Sequence, residues 1–155
     1  MYEKVITKLI ENNITIATAE SCTGGSLGKI ITSFSGVSSI YGYGFITYAN
    51  EAKEKLLGVS HETLEKFGAV SPECAREMAL GARKVAGSDI AVSVTGIAGP
   101  GGGTPEKPVG LVYIALADKD GVEVRKLNLK GTRDEIRAQT CGEVFKLIEE
   151  NLLTK

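Results

Sequence analysis

The chain has 155 residues, enough for one domain with its own core and too few for two of ordinary size. Hydrophobic residues make up 43% and charged residues 24%, and 18 Lys and Arg against 19 Asp and Glu leave a formal charge of −1. That dispersed balance argues against nucleic acid as a partner; no apolar run approaches the ~20 residues of a membrane span, and three cysteines with one histidine suggest neither a disulfide framework nor a metal site.

The charged start, Met1-Tyr2-Glu3-Lys4, leads into an amphipathic pattern instead of a signal peptide's apolar block, so a cytoplasmic location is expected. Residues 2–12 predict a helix with Val5, Ile6, Leu9 and Ile10 on one face, and residues 14–19 alternate like a strand. After Glu20-Ser21-Cys22-Thr23-Gly24-Gly25, a second helix turns Leu27, Ile30, Ile31 and Phe34 inward. A strand follows from Tyr43 to Tyr48, then a short helix over 51–57 capped by Asn50 and closed by Gly58, then another from Ser60 to near Gly68. Ser71-Pro72 opens a helix that buries Ala75, Met78, Ala79, Ala82 and Val85 and stops at Gly87.

Ile90 to Val94 and Leu111 to Ala117 have strand length, the second nearly unbroken, as in a strand covered on both faces. A further strand, Gly121 to Leu129, joins it by a hairpin; its inward phase slips between Val124 and Leu127, which predicts a bulge or twist. Thr132 and Glu135 form a capping box for a last helix burying Ile136, Cys141, Val144, Phe145, Ile148 and Leu152. The order implies a single α/β domain over residues 1–155, a three-layer α/β/α sandwich with a mixed sheet of about five strands.

Three segments carry candidate chemistry. The first, Ala19 to Gly25, passes from a strand end into a helix, which exposes Ser21 beside the backbone N–H groups of Cys22, Thr23 and Gly24, donors suited to an oxyanion. Ser21 or Thr23 as a plain helix cap is the alternative, and the Cys22 thiol is a rival nucleophile. In the second, Thr47 to Lys53, a cap at Asn50 puts Lys53 at the third helical position, where the helix dipole helps depress its pKa. Tyr48, ending the preceding strand, is either a core residue or a hydroxyl donor to the same site; for Lys53 a solvated surface lysine beside Glu51 is the alternative reading. The third segment runs from Thr95 and Gly96 through Gly99, Pro100 and Gly101 to Lys107 and Gly110, and is long enough to be a binding loop for an anion, or else a hairpin tip. Arg137 is placed to reach a phosphate, or to pair with Asp134 one turn away. A Ser-His-Asp triad would have to be built on His61 alone.

The runs AESCTGG, GFITYANEAKEKLLGV, GAVSPE, VSVTGIAGPGGGTPEKPVG and RDEIR, in this order, resemble the C-terminal domain of the competence/damage-inducible protein CinA. The resemblance covers nearly the whole chain. It implies an α/β/α sandwich and, by similarity to stand-alone members, hydrolysis of nicotinamide mononucleotide to nicotinate mononucleotide and ammonia. It further implies a Ser-Lys pair at Ser21 and Lys53, with Tyr48 beside them and Arg137 as the family's helix arginine. Cys22, Thr23, Gly24, Gly25, Asn50, Thr95, Gly96, Gly99, Pro100, Gly101, Lys107 and Arg137 are the expected substrate contacts. The expected partner is the small-molecule substrate, with no metal or organic cofactor, no nucleic acid and no membrane; homo-oligomers are compatible with it. Two-domain members also carry an N-terminal domain linked to ADP-ribose pyrophosphatase activity, which is not carried over to this chain. Two other readings remain, a non-catalytic nucleotide-binding module and a DNA-uptake or repair accessory.

Overall fold

In a computed structural model that describes residues 1–154, the elements in chain order are α1 (Tyr2–Glu11), β1 (Ile16–Glu20), α2 (Ser26–Thr32), a 3₁₀ turn (Val37–Ser39), β2 (Tyr41–Ile46), α3 (Asn50–Leu57), α4 (His61–Lys66), α5 (Pro72–Ala86), β3 (Ile90–Gly96), β4 (Leu111–Asp118), β5 (Gly121–Asn128) and α6 (Arg133–Leu153). Lys155, the last residue of the predicted domain, lies outside the described residues. The strands form one sheet in the order β2-β1-β3-β4-β5. β1 is parallel to β2 and to β3, while β4 and β5 continue antiparallel, so the sheet is mixed.

The helices cover both faces. One core lies between the sheet and α1, α2 and α6, with Val5, Leu9, Ile31, Ile114, Phe145 and Ile148 fully enclosed; each such side chain contributes about 1.5–3 kcal/mol by leaving water. The other lies under α3, α4 and α5, where Met78, Cys74 and Leu57 meet the sheet. Ala75 and Ala79 of α5 pack directly on Ala115 and Ala117, so small side chains bring this helix close to the strands. Gly81 brings α5 equally close to α3: a Cβ there would sit 1.8 Å from the Leu57 carbonyl oxygen. Two helices meet there backbone to backbone.

Several local expectations change. β5 pairs with β4 in unbroken register from Leu111↔Asn128 to Asp118↔Gly121, so there is no bulge between Val124 and Leu127. The apolar phase switches because Val122 and Val124 pack on the α5 side, while Leu127 and Leu129 pack on the α1/α6 side. Val85 is 52% exposed, because the last turn of α5 runs past the edge of the core. The N-cap of α3 is Ala49, not Asn50, so Lys53 is the fourth helical residue. The Ser60 and Ser71 caps and the Thr132–Glu135 capping box form as the sequence predicts.

The topology decides where a ligand can sit. From β1 the chain reaches β2 through α2 on one face, then crosses through α3, α4 and α5 on the other face to enter β3 on the opposite side of β1. Connections leaving neighbouring strands β1 and β3 in opposite directions open a crevice at their carboxyl ends.

Candidate active site

A cleft of about 260 Å³ lies at those carboxyl ends. Ser21 follows β1, Tyr48 and Lys53 follow β2, and Thr95, Gly96 and the glycine-rich loop follow β3; Arg133, from the start of α6, closes the wall. The Ser21 N–H extends the β1–β3 ladder by donating to Val94 O at 3.1 Å, and the residue is 8% exposed. Cys22, Asn50, Gly99 and Gly101 also line the cleft. Thr95 does so with its hydroxyl turned to Ala69 O at 2.8 Å.

The turn after Ser21 differs from the expected direct entry into a helix. α2 begins only at Ser26, after Gly24 and Gly25 at φ of +56° and +106°. Gly24 N–H donates to Ser21 O at 3.1 Å, so of the three predicted oxyanion donors it is already used. The N–H groups of Cys22 and Thr23 bond no other described residue. The N-terminus of α2 holds an anion from the protein itself. Glu20, 2% exposed, accepts from Leu27 N at 2.9 Å, Gly28 N at 3.0 Å and Thr23 Oγ1 at 2.6 Å. Thr23 O accepts from Ser26 N at 3.0 Å, Ser26 Oγ at 2.8 Å and Arg137 Nη2 at 2.8 Å. Thr23, Gly24 and Gly25 therefore shape the turn from behind and do not line the cleft.

Lys53 is 1% exposed, which removes the surface-lysine reading. Its Nζ donates to Thr47 O at 2.8 Å and Tyr48 O at 3.2 Å, and no described carboxylate forms an ion pair with it. Burial pushes its pKa down, against smaller opposing effects of the Cys74 and Cys22 thiols. A neutral amine has two N–H bonds and one lone pair. The two carbonyls match the two donors and leave the lone pair for an incoming proton. Ser21 and Lys53 share the cleft without a direct hydrogen bond between them. Burial also pushes the Cys22 thiol up to about 11, which keeps it protonated and weakens it as a nucleophile.

The cation at the cleft is one the sequence reading passed over. Arg133 donates through Nη1 to Gly99 O at 2.6 Å and through Nη2 to the hydroxyl of Tyr48, itself 62% exposed, at 3.0 Å. Arg137, expected at the phosphate, lies behind the Ser21 turn in a groove between α2 and α6, with its Nε enclosed and unpartnered; it does not pair with Asp134. The signal for Arg133 was its place immediately after the Thr132 cap, at the helix end that faces the strand ends. Lys107 is also outside the cleft wall, because its ammonium is tied to Phe67 O at the end of α4. Pro100 is exposed beside Gly99 and does not line the cleft. His61 lies on the surface between Glu54 and Glu65, away from Ser21, so no histidine triad forms. Among the described residues no group of three or more His, Cys, Asp or Glu is placed to hold a metal, and no helix is long and apolar enough to cross a membrane.

Comparison with known proteins gives a consistent result. A family model described as the CinA C-terminal domain matches residues 1–152. A competence-damage inducible protein named in Acetivibrio thermocellus is 55% identical over 145 residues, covering 94% of this chain and 35% of the relative. One from a Thermoanaerobacter species is 51% identical over 152 residues, covering 97% and 37% respectively. The chain thus spans about a third of the length of these curated relatives. Among solved structures, the competence/damage inducible protein CihA from Agrobacterium tumefaciens superposes with a TM-score of 0.94 at 42% identity, over 96% of this chain and 92% of that one. A CinA superfamily protein from Klebsiella pneumoniae gives 0.95 at 33% identity, over 99% and 96%.

Proposed function

The chain belongs to the CinA C-terminal domain family, and on that premise we propose that it is an amidohydrolase converting nicotinamide mononucleotide to nicotinate mononucleotide and ammonia, with Ser21 as nucleophile and Lys53 as base. The observation that carries this reading is the Lys53 amine, fully buried at the Ser21 cleft, held by two carbonyls and lacking an acidic partner. A lysine kept in that way favours its neutral form, which is what a base for a serine hydroxyl requires.

The steps follow from these groups. Lys53 takes the Ser21 proton as Oγ attacks the carboxamide carbon, and the tetrahedral oxyanion settles on the N–H of Cys22, the residue after the nucleophile that lines the cleft. The ammonium of Lys53 then gives its proton to the amide nitrogen as the C–N bond breaks, releasing ammonia and leaving the acyl-enzyme, which water hydrolyses by the reverse sequence. Arg133, exposed and adjacent to the loop carbonyl of Gly99, is the cation we assign to the phosphate, in place of Arg137 and Lys107.

The test is ammonia release from nicotinamide mononucleotide by the purified protein. Ser21→Ala is expected to lower kcat by at least about 10³-fold and Lys53→Met by about 10²–10⁴-fold, both with native folding. The acidic limb of the rate profile then belongs to Lys53 and falls below the ordinary lysine value of about 10.4, since activity needs the unprotonated amine. Tight nucleotide binding without ammonia release would overturn the reading in favour of a non-catalytic module.

A further inference from the structure

We infer that Arg137 is a positioning residue for the oxyanion donor at Cys22, acting through two peptide groups and not through contact with substrate. This rests on the amidase reading above. Arg137 Nη2 donates to Thr23 O at 2.8 Å. That carbonyl shares its peptide group with Gly24 N–H, which donates to Ser21 O at 3.1 Å. The Ser21 carbonyl in turn shares its peptide group with Cys22 N–H, which donates to no other described residue and belongs to a residue that lines the cleft. The path is therefore guanidinium, peptide, peptide, oxyanion, with each link a hydrogen bond pointing the same way.

A cation at the head of such a chain draws electron density toward itself, and each peptide group becomes a stronger donor at its other end. Cooperative strengthening of this kind is about 10–30% per bond. It matters here because the last donor is the one that meets charge only as the reaction proceeds. The rest of the turn holds the chain in line. Ser26 adds two donors to the same Thr23 oxygen, and Glu20 fixes the Thr23 hydroxyl. Gly24 has a positive φ, and a Cβ on it would lie 3.1 Å from Arg137 Nη2, so the arginine rests directly against the turn. The groove that Arg137 does line, with Ser26, Lys29 and Asp134, is separate from the cleft.

The experiment measures kcat and KM for nicotinamide mononucleotide in Arg137→Gln, Arg137→Lys and Ser26→Ala, with melting curves for each. Losing one oxyanion donor outright costs about 10²–10³ in kcat, so weakening one predicts a fall of about tenfold in Arg137→Gln with KM changed by less than about twofold. Arg137→Lys keeps a cationic donor and is expected to recover most of the rate. If Arg137→Gln does not fold, Ser26→Ala carries the test, with an expected two- to threefold loss of kcat, on the order of one weakened hydrogen bond. A raised KM at unchanged kcat would make Arg137 a phosphate ligand and overturn the inference. So would wild-type kinetics in Arg137→Gln, equal losses in the Gln and Lys variants, or an unaltered Ser26→Ala. Absence of ammonia release from the unmutated protein is a different failure, since it removes the amidase reading and this inference together.

Discussion

The two walls of the cleft are built on different plans. The Ser21 turn is held from within: Glu20 accepts three hydrogen bonds and Thr23 O accepts three, while the N–H groups of Cys22 and Thr23 bond no other described residue. The loop from Gly96 to Gly110 is mostly exposed, and side chains tie it to the rest of the protein at two carbonyls, Lys107 on Phe67 O and Arg133 on Gly99 O. The lesson is a division of labour. On the proposed amidase reading, the wall that would stabilise developing charge is fixed before substrate arrives, since reorganising it during reaction would raise the barrier, and the wall that would hold the nucleotide is free to adjust.

Mutations can break that contrast. The largest effect is expected from Glu20→Ala, which strands two buried helix N–H groups and the Thr23 hydroxyl; at about 1–3 kcal/mol for each unpaired buried group, a loss of about 4 kcal/mol is predicted in urea unfolding. A loss below about 1 kcal/mol would mean the turn is not held from within. Lys107→Met addresses the other wall and should cost under about 1 kcal/mol while raising KM about fivefold at nearly constant kcat. A matching collapse of kcat would erase the distinction between the walls.

The smallest effect concerns the helix to which the loop is tied. His61 at the start of α4 sits between Glu54 and Glu65, and its hydrogen bond to Glu54, before the other contributions, raises its pKa. The folded value lies above the unfolded one of about 6.5, so this stabilisation is complete below that pH and fades as pH rises through the folded value. The melting temperature should therefore decline slightly from pH 6 to 8.5 relative to His61→Gln. A parallel pH response in the two proteins would remove the contribution.

Much of this architecture was legible in the residues. Ser71-Pro72 and Thr132 with Glu135 are local chemistry, and they mark helix starts wherever they fall. Each expected strand has a counterpart, but β2 runs Tyr41–Ile46 instead of Tyr43–Tyr48, so Tyr48 lies in the loop after it; Ser21, Tyr48 and Lys53 of the recognised motifs line one cleft. What was hidden depends on three dimensions. Arg133 and Arg137 lie four residues apart on one face of α6, so periodicity cannot separate them; only the helix's seating against the strand ends decides which meets the cleft. The role of Glu20 required knowing that the turn spans Ser21 to Gly25, which lets α2 fold back onto its carboxylate. Asn50 looked like a cap because of its residue type, yet Ala49 holds that backbone position.

The bare contact at Gly81 reaches further than its place in the core suggests. Because the end of α3 meets α5 at Gly81 with no side chain between the two backbones, nothing soft at that point can absorb a change in their spacing. The depth at which the Lys53 amine sits therefore depends on the thickness of a peptide backbone, and a single methyl group added at position 81 of α5 would push α3 outward and shift that amine relative to Ser21.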